Sequence, residues 1–167
     1  MKKQKKNFMM LTAVLIGLLL LVAVAGCAPA QEEAASGEDE KTEVKIGTVG
    51  PLTGEAAAYG TNVLRGIEIA VEEANASGEL GDITLKLISE DTGGDWSAAA
   101  NAFSKLIDVD GVDVIIGAVL SSETAAGGPI VMEAGVPTIS PSSTAVDLTK
   151  DNPYLFRNCL SDEVQAV

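Results

Sequence analysis

From residue 43 onward, short β-branched runs alternate with stretches of helical period, and no other feature constrains the fold as strongly. Residues 43–49 (EVKIGTV) read as a strand stopped by Gly50 and Pro51. Residues 59–76 place Leu64, Ile67, Val71 and Ala74 on one helical face, and Gly78 ends that helix. Ile83, Leu85 and Leu87 alternate with Thr84 and Lys86 in a second strand. Asp95 is positioned to cap a helix in which Trp96, Ala99, Ala100, Phe103, Leu106 and Ile107 recur at helical spacing. A third strand is expected over 112–119, apolar apart from Asp113, and a third helix over 122–133. Residues 136–139 give a short fourth strand and 155–157 a fifth. Strands joined by helices return through right-handed crossovers, so the expected class is α/β, a parallel sheet flanked by helices.

In such a sheet a ligand sits beyond the carboxyl ends of the strands, near the reversal in strand order. That rule selects three loops, 50–59, 117–124 and 140–144. The second (GAVLSSET) runs into a helix, the third reads SPSST, and both are rich in hydroxyls. A helix start offers free N–H groups and partial positive charge, which suit a carboxylate or phosphate. Ser121, Ser122 and Thr124 are equally well read as ordinary helix caps.

Composition removes whole classes of function. Lys and Arg total 11 against 24 Asp and Glu, a formal charge of −13, which repels nucleic acid. There is no His, the commonest general base and metal ligand. Gly47, Gly50 and Gly54 do not make a dinucleotide fingerprint, and no phosphate-loop GK[ST] occurs. Asp108, Asp110 and Asp113 around Gly111 miss the calcium-loop spacing and read as a helix-to-strand turn. Glu90 and Asp91 read as a solvated loop rather than an acid pair. Ser121 lacks an evident base, so no catalytic residue, metal or cofactor is expected. Of the two cysteines, Cys159 is expected as a buried, inert thiol.

The N-terminus reads as an address. Lys2, Lys3, Lys5 and Lys6 precede an uncharged, mostly apolar run over 8–26 that ends in Val24-Ala25-Gly26-Cys27. A retained membrane helix is one reading of its length. Small residues directly before a Cys resemble the lipobox of bacterial lipoproteins, which implies removal of 1–26 and lipidation of Cys27. The lysines place the remainder outside the cytoplasm. Cleavage would remove four lysines and no acid, leaving seven basic residues and a formal −17. Residues 28–42 (APAQEEAASGEDEKT) lack a hydrophobic pattern and serve as an acidic tether with a typical span of roughly 20 Å. The expected divisions are therefore 1–26, 27–42 and 43–167.

The stretch VKIGTVGPLTGEAAAYGTNVLRGIEIAVEEANASG resembles the opening of type I periplasmic solute-binding proteins, in the branched-chain amino-acid (leucine/isoleucine/valine) branch that serves ABC importers. IIGAVLSSETAA, GVPTISPSSTAVDLT and NPYLFRNCLSDEVQ follow in the family's order, so the resemblance covers about 43–167. It implies a Rossmann-like first lobe of a two-lobed, hinged binder, with the second lobe missing. It also implies that Ser121 and Thr144 hold the α-carboxylate of an amino acid. The backbone carbonyl of Ser142 would face the ammonium, Tyr59 would line the site, and Val119 would sit beside the ligand. Asp162 and Gln165 match a segment leading into the second lobe. Implied partners are an amino acid, the permease and ATPase subunits of an importer, and the membrane through the lipid. Alternatives are a sensing ectodomain of the same fold, a binder of a related amide or carboxylate, or an extracytoplasmic enzyme. Glu123 stands where the family often has a small neutral residue, and is expected to make the pocket mouth more acidic. A lone first lobe is expected to fold marginally and to bind an amino acid only in the millimolar range.

Overall fold

The computed structural model describes residues 42–166. The expected signal, Cys27 and nearly all of the tether lie outside the described residues. Strand β1 spans Thr42–Gly50, and helix α1 spans Ala57–Ser77. β2 (Ile83–Asp91) and α2 (Trp96–Lys105) follow. β3 (Val114–Gly117), α3 (Ser121–Ala134), β4 (Thr138–Ser140), β5 (Leu155–Arg157) and the short α4 (Asp162–Gln165) complete the order. The strands form one parallel sheet in the order β2-β1-β3-β4-β5. The chain steps one way from β1 to β2 and the other way from β3 on, so the reversal lies between β1 and β3.

Period-two alternation fixes the register. Ile46 aligns with Leu87 and with Val114, while Val49 aligns with Gly117. A slip of one residue would exchange the two faces of every strand. Val49, Ile115 and Leu155 project to one face, where Ala102, Phe103, Leu106, Val112 and Val131 close a buried core beneath α2 and α3. Phe103 and Gly127 bring those two helices together, since a Cβ on Gly127 would overlap the Phe103 ring edge. The opposite face carries α1, where Ile67 and Ile46 are both buried. Beside α1 runs an apolar groove of about 450 Å³, lined by Val63, Val71, Leu85 and Ile116 among others. Further along that face Ile139 is 37% and Phe156 53% exposed.

Local chemistry ends α1 and starts α2 where the sequence says it should, while other bounds differ. Gly78 takes φ 74° after α1, and Asp95 accepts the Ala98 N–H at 2.7 Å to cap α2. β1 begins at Thr42, whose N–H reaches the Asp82 carbonyl at 2.7 Å, one residue earlier than expected. The apolar period through Leu106 and Ile107 does not stay α-helical. It widens into a π turn over Leu106–Asp110, closed by Gly111 at φ 63°. Trp96, expected on the buried face of α2, sits at its first position and is 57% exposed. β3 is shorter than 112–119 at both ends. Val112 N–H is spent on the Leu106 carbonyl, and the Asp113 carboxylate accepts the Lys45 N–H at 2.8 Å. At its other end the strand stops at Gly117, where a Cβ would lie 2.7 Å from the Val49 carbonyl oxygen.

Candidate functional site

At the carboxyl ends of β1 to β4, hydrogen bonds tie the loops after β1 and β2 to each other and the loops after β3 and β4 to each other. The first pair follows β1 and β2. Neighbouring strand residues point to opposite faces, so Glu90 and Asp91 part company. Glu90 pairs with Lys105 at 2.6 Å. Asp91 turns to the loop after β1, accepting Leu52 N–H at 2.8 Å, Thr53 N–H at 3.1 Å and the Thr53 hydroxyl at 2.6 Å. It also accepts Gly93 N–H at 2.8 Å. The sequence reading as a solvated loop missed this role, although Asp at a strand end before Thr-Gly-Gly is a turn former. These donors, with the Thr53 hydroxyl foremost, lower the Asp91 pKa to about 2. A carboxylate depressed in the folded state stabilises above its ordinary value of 3.8 and loses that contribution as the pH falls toward 2. Amide protection at Leu52, Thr53 and Gly93 is therefore expected to hold at pH 5 and to fall between about pH 4 and 2, as hydrogen exchange would show. Because Asp91 is exposed, solvent screening keeps the effect on global stability small.

The second pair follows β3 and β4, where the hydroxyl-rich loops lie. Here the structure sorts the hydroxyls into two groups. Ser140, Ser143 and Thr124 are each 1% exposed and turn inward. All three reach the Ala118 carbonyl, Ser140 at 2.7 Å, Thr124 at 3.2 Å and Ser143 at 3.3 Å. Thr124 and Ser143 also lie 2.7 Å from each other. A hydroxyl has one proton and a carbonyl two lone pairs. One of Thr124 and Ser143 therefore donates to the other, and the second joins Ser140 on Ala118. The Ser143 N–H closes the lattice on Ser140 Oγ at 3.1 Å. Thr124, read from sequence as a helix cap or anion donor, is neither.

The other group stays at the edge. Ser121 opens α3, half-buried, and its Oγ accepts the Ala145 N–H at 3.2 Å. That bond uses one lone pair of the oxygen, and among the described residues the Ser121 proton has no acceptor. Ser121 is thus no cap; it ties the third loop to the start of the helix. The Ser142 hydroxyl donates to the Val119 carbonyl at 2.7 Å, while among the described residues the Ser142 carbonyl has no donor. Thr144 is half-buried, and its carbonyl is held from behind by Arg157 at 3.2 Å and by Asp162 N–H at 2.8 Å. Arg157 also reaches the Ala145 carbonyl at 2.9 Å. Cys159, half-buried rather than buried, donates from Sγ to the Ser143 carbonyl at 3.3 Å. Val119 is 3% exposed and packs against Gly50, so its side chain belongs to the wall rather than the open edge. Tyr59 lies at the same edge, in the first turn of α1, 69% exposed.

Glu123 departs from the sequence expectation. Glu123 does not acidify a mouth, because its side chain is fully buried. It accepts the Thr92 hydroxyl and, at 3.1 Å, the Leu120 N–H. Thr92, which the sequence did not single out, is 3% exposed. The acidic turn around Gly111 is structural: Lys45 Nζ reaches the Asp110 carbonyl at 2.8 Å, and Lys105 reaches the Asp110 carboxylate at 3.0 Å. Among the described residues no group of three or more His, Cys, Asp or Glu is placed to hold a metal ion. Nor is any described helix long and apolar enough to cross a membrane.

Comparison with known proteins gives a consistent picture. A family model described as periplasmic binding protein matches residues 43–166. The Leu/Ile/Val-binding protein BraC3 of Rhizobium johnstonii is 34% identical over 125 residues, which is 74% of this chain and 34% of that protein. The Leu/Ile/Val-binding protein of Escherichia coli K12 is 33% identical over 127 residues, 75% of this chain and 33% of that protein. The chain thus spans about a third of the length of the curated relatives it matches. Among solved structures, the branched-chain amino acid transporter substrate binding protein LivJ of Streptococcus pneumoniae, in complex with isoleucine, superposes with a TM-score of 0.70 at 35% identity. That match covers 72% of this chain and 35% of LivJ. The leucine binding protein LivK of Thermotoga maritima gives 0.69 at 38% identity, covering 73% of this chain and 34% of LivK.

Proposed function

The chain belongs to the periplasmic binding protein family, and we propose that it is an extracytoplasmic solute-binding component that captures a branched-chain amino acid for an ABC importer. The family is one of binding proteins rather than enzymes, and the relatives at 33–34% identity are named for leucine, isoleucine and valine. The observation that carries the proposal is the state of Ser121. At the edge where the strand order reverses, its oxygen accepts the Ala145 N–H while its proton has no acceptor among the described residues, so the proton is available to a ligand. The amides of the first turn of α3 open at the same place, and a carboxylate suits both. In this proposal Thr144 is the second donor to the carboxylate. The Ser142 carbonyl faces the ammonium, Tyr59 lines the opening and Val119 forms the wall. Cys27 carries the lipid that holds the domain at the membrane, with permease and ATPase subunits as partners.

Titration of ¹⁵N-labelled chain with leucine is expected to shift amides of 121–124 and 142–145 and to leave the α2–α3 core unmoved. A hydrogen bond to a charged group contributes about 1.5–3 kcal/mol. Ser121→Ala and Thr144→Ala should therefore each weaken binding by roughly ten- to a hundred-fold. Shifts that persist unchanged in both variants would remove the carboxylate assignment. In the same preparation, mass spectrometry of membrane-bound chain should find a diacylglyceryl group on Cys27; an unmodified thiol there would remove the anchor.

A further inference from the structure

We infer that Glu123 is a positioning residue for this edge: its buried carboxylate clamps the loop after β2 to the start of α3 and so sets the place of Ser121. One carboxylate oxygen accepts the Thr92 hydroxyl, the other the Leu120 N–H at 3.1 Å. The Thr92 oxygen in turn accepts Gly94 N–H at 3.1 Å, and Thr92 N–H donates to the Gly50 carbonyl at 3.1 Å. One acid thus joins the end of β1, the loop after β2 and the first turn of α3, across the reversal in strand order. Leu120 immediately precedes Ser121, whose oxygen holds Ala145 N–H, so the clamp reaches the third loop through a single peptide.

Burial makes the assignment pointed. No Lys or Arg forms an ion pair with Glu123 among the described residues. Sequestering a carboxylate with only neutral donors is costly, and an apolar side chain of similar volume would fill the space more cheaply. The first turn of a helix favours an acid, which offsets part of that cost. What the carboxylate does and an apolar residue cannot is fix two donors at once. It also removes Leu120 N–H from the amides that α3 offers to a ligand. The assignment of Ser121 as a ligand donor rests on the function proposed above; the clamp itself does not.

Amide hydrogen exchange of the full chain separates the two. Glu123→Met keeps the volume and removes both acceptors, while Thr92→Val removes the shared hydroxyl. In both variants exchange at Leu120 and at Ala145 should accelerate by about tenfold, the loss of one hydrogen bond. Thr92→Ser keeps the bonding pattern and should stay near wild type, while Glu123→Gln keeps one of the two acceptors and should fall between wild type and Glu123→Met. Acceleration at Leu120 with Ala145 unchanged would overturn the proposal, because the clamp would then end at the helix. Uniform acceleration across the sheet in all four variants would overturn it too, since the residue would then be holding the fold and not the edge. If wild-type chain shows the local exchange pattern but no leucine-induced shifts, the clamp stands and the ligand assignment falls.

Discussion

Replacing Phe103 by alanine is expected to lower the unfolding free energy by about 3–5 kcal/mol, read as a shift in the urea midpoint. Phe103 is 1% exposed and lies where α2 meets α3. Its ring occupies the space a side chain at position 127 would need, with Cζ 2.5 Å from where that Cβ would stand. A domain of this size is stabilised by only about 5–15 kcal/mol, so the variant should approach the limit of folding. The pair is complementary, which gives a second, sharper test. Gly127→Ala alone overpacks the contact and should cost about 1–3 kcal/mol. In a Phe103→Leu background, part of the space is vacated and the same substitution should cost less, by a coupling of about 0.5–3 kcal/mol. Strict additivity would mean that the helices meet elsewhere.

Gly60→Ala should be nearly as damaging, for a reason located at the candidate site. A Cβ at this position would overlap the Pro51 carbonyl oxygen and stand 2.6 Å from the carbonyl carbon. Both are backbone atoms, and the residues after Pro51 are fixed by the Asp91 carboxylate, so neither partner can yield cheaply. The helix start must move, at about 1–3 kcal/mol or more, and the neighbouring Tyr59 moves with it. Gly66→Ala in the same helix is the control. Nothing lies within 4 Å of a Cβ there, and alanine is the better helix former by roughly 1 kcal/mol. The thermal midpoint should fall for Gly60→Ala and hold or rise for Gly66→Ala; equal midpoints would show that the contact with Pro51 is soft.

Much of this arrangement is legible in the sequence because it is periodic. The faces of α1 and α2, the alternation in β2 and the stops at Gly78 and Gly111 follow from residues close together in the chain. What escaped is non-local. β3 is shortened because Asp113 is used by Lys45, a partner a whole crossover away, which no local pattern announces. The three loops of the proposed edge follow from topology alone, at the carboxyl ends of β1, β3 and β4. The division of labour among their hydroxyls was not readable. Ser140 and Ser142 look alike in SPSST, yet one turns to Ala118 and the other to Val119 on the neighbouring loop. Glu123 looks like a solvated first-turn acid, and only the approach of Thr92 from another loop shows it to be interior.

The lattice around the Ala118 carbonyl has a mechanical consequence. Each hydroxyl proton in it has an acceptor within the second and third loops, and the Ala118 carbonyl takes two of them, so neither loop can flex without orphaning a buried group of the other. The two therefore move as one stiff wall. A stiff wall is preorganised: little conformational freedom is left to lose when a guest arrives, and little adaptation is available to a guest of the wrong shape. If the edge binds a solute as proposed, discrimination there is geometric, decided by whether a head group matches donors already in place.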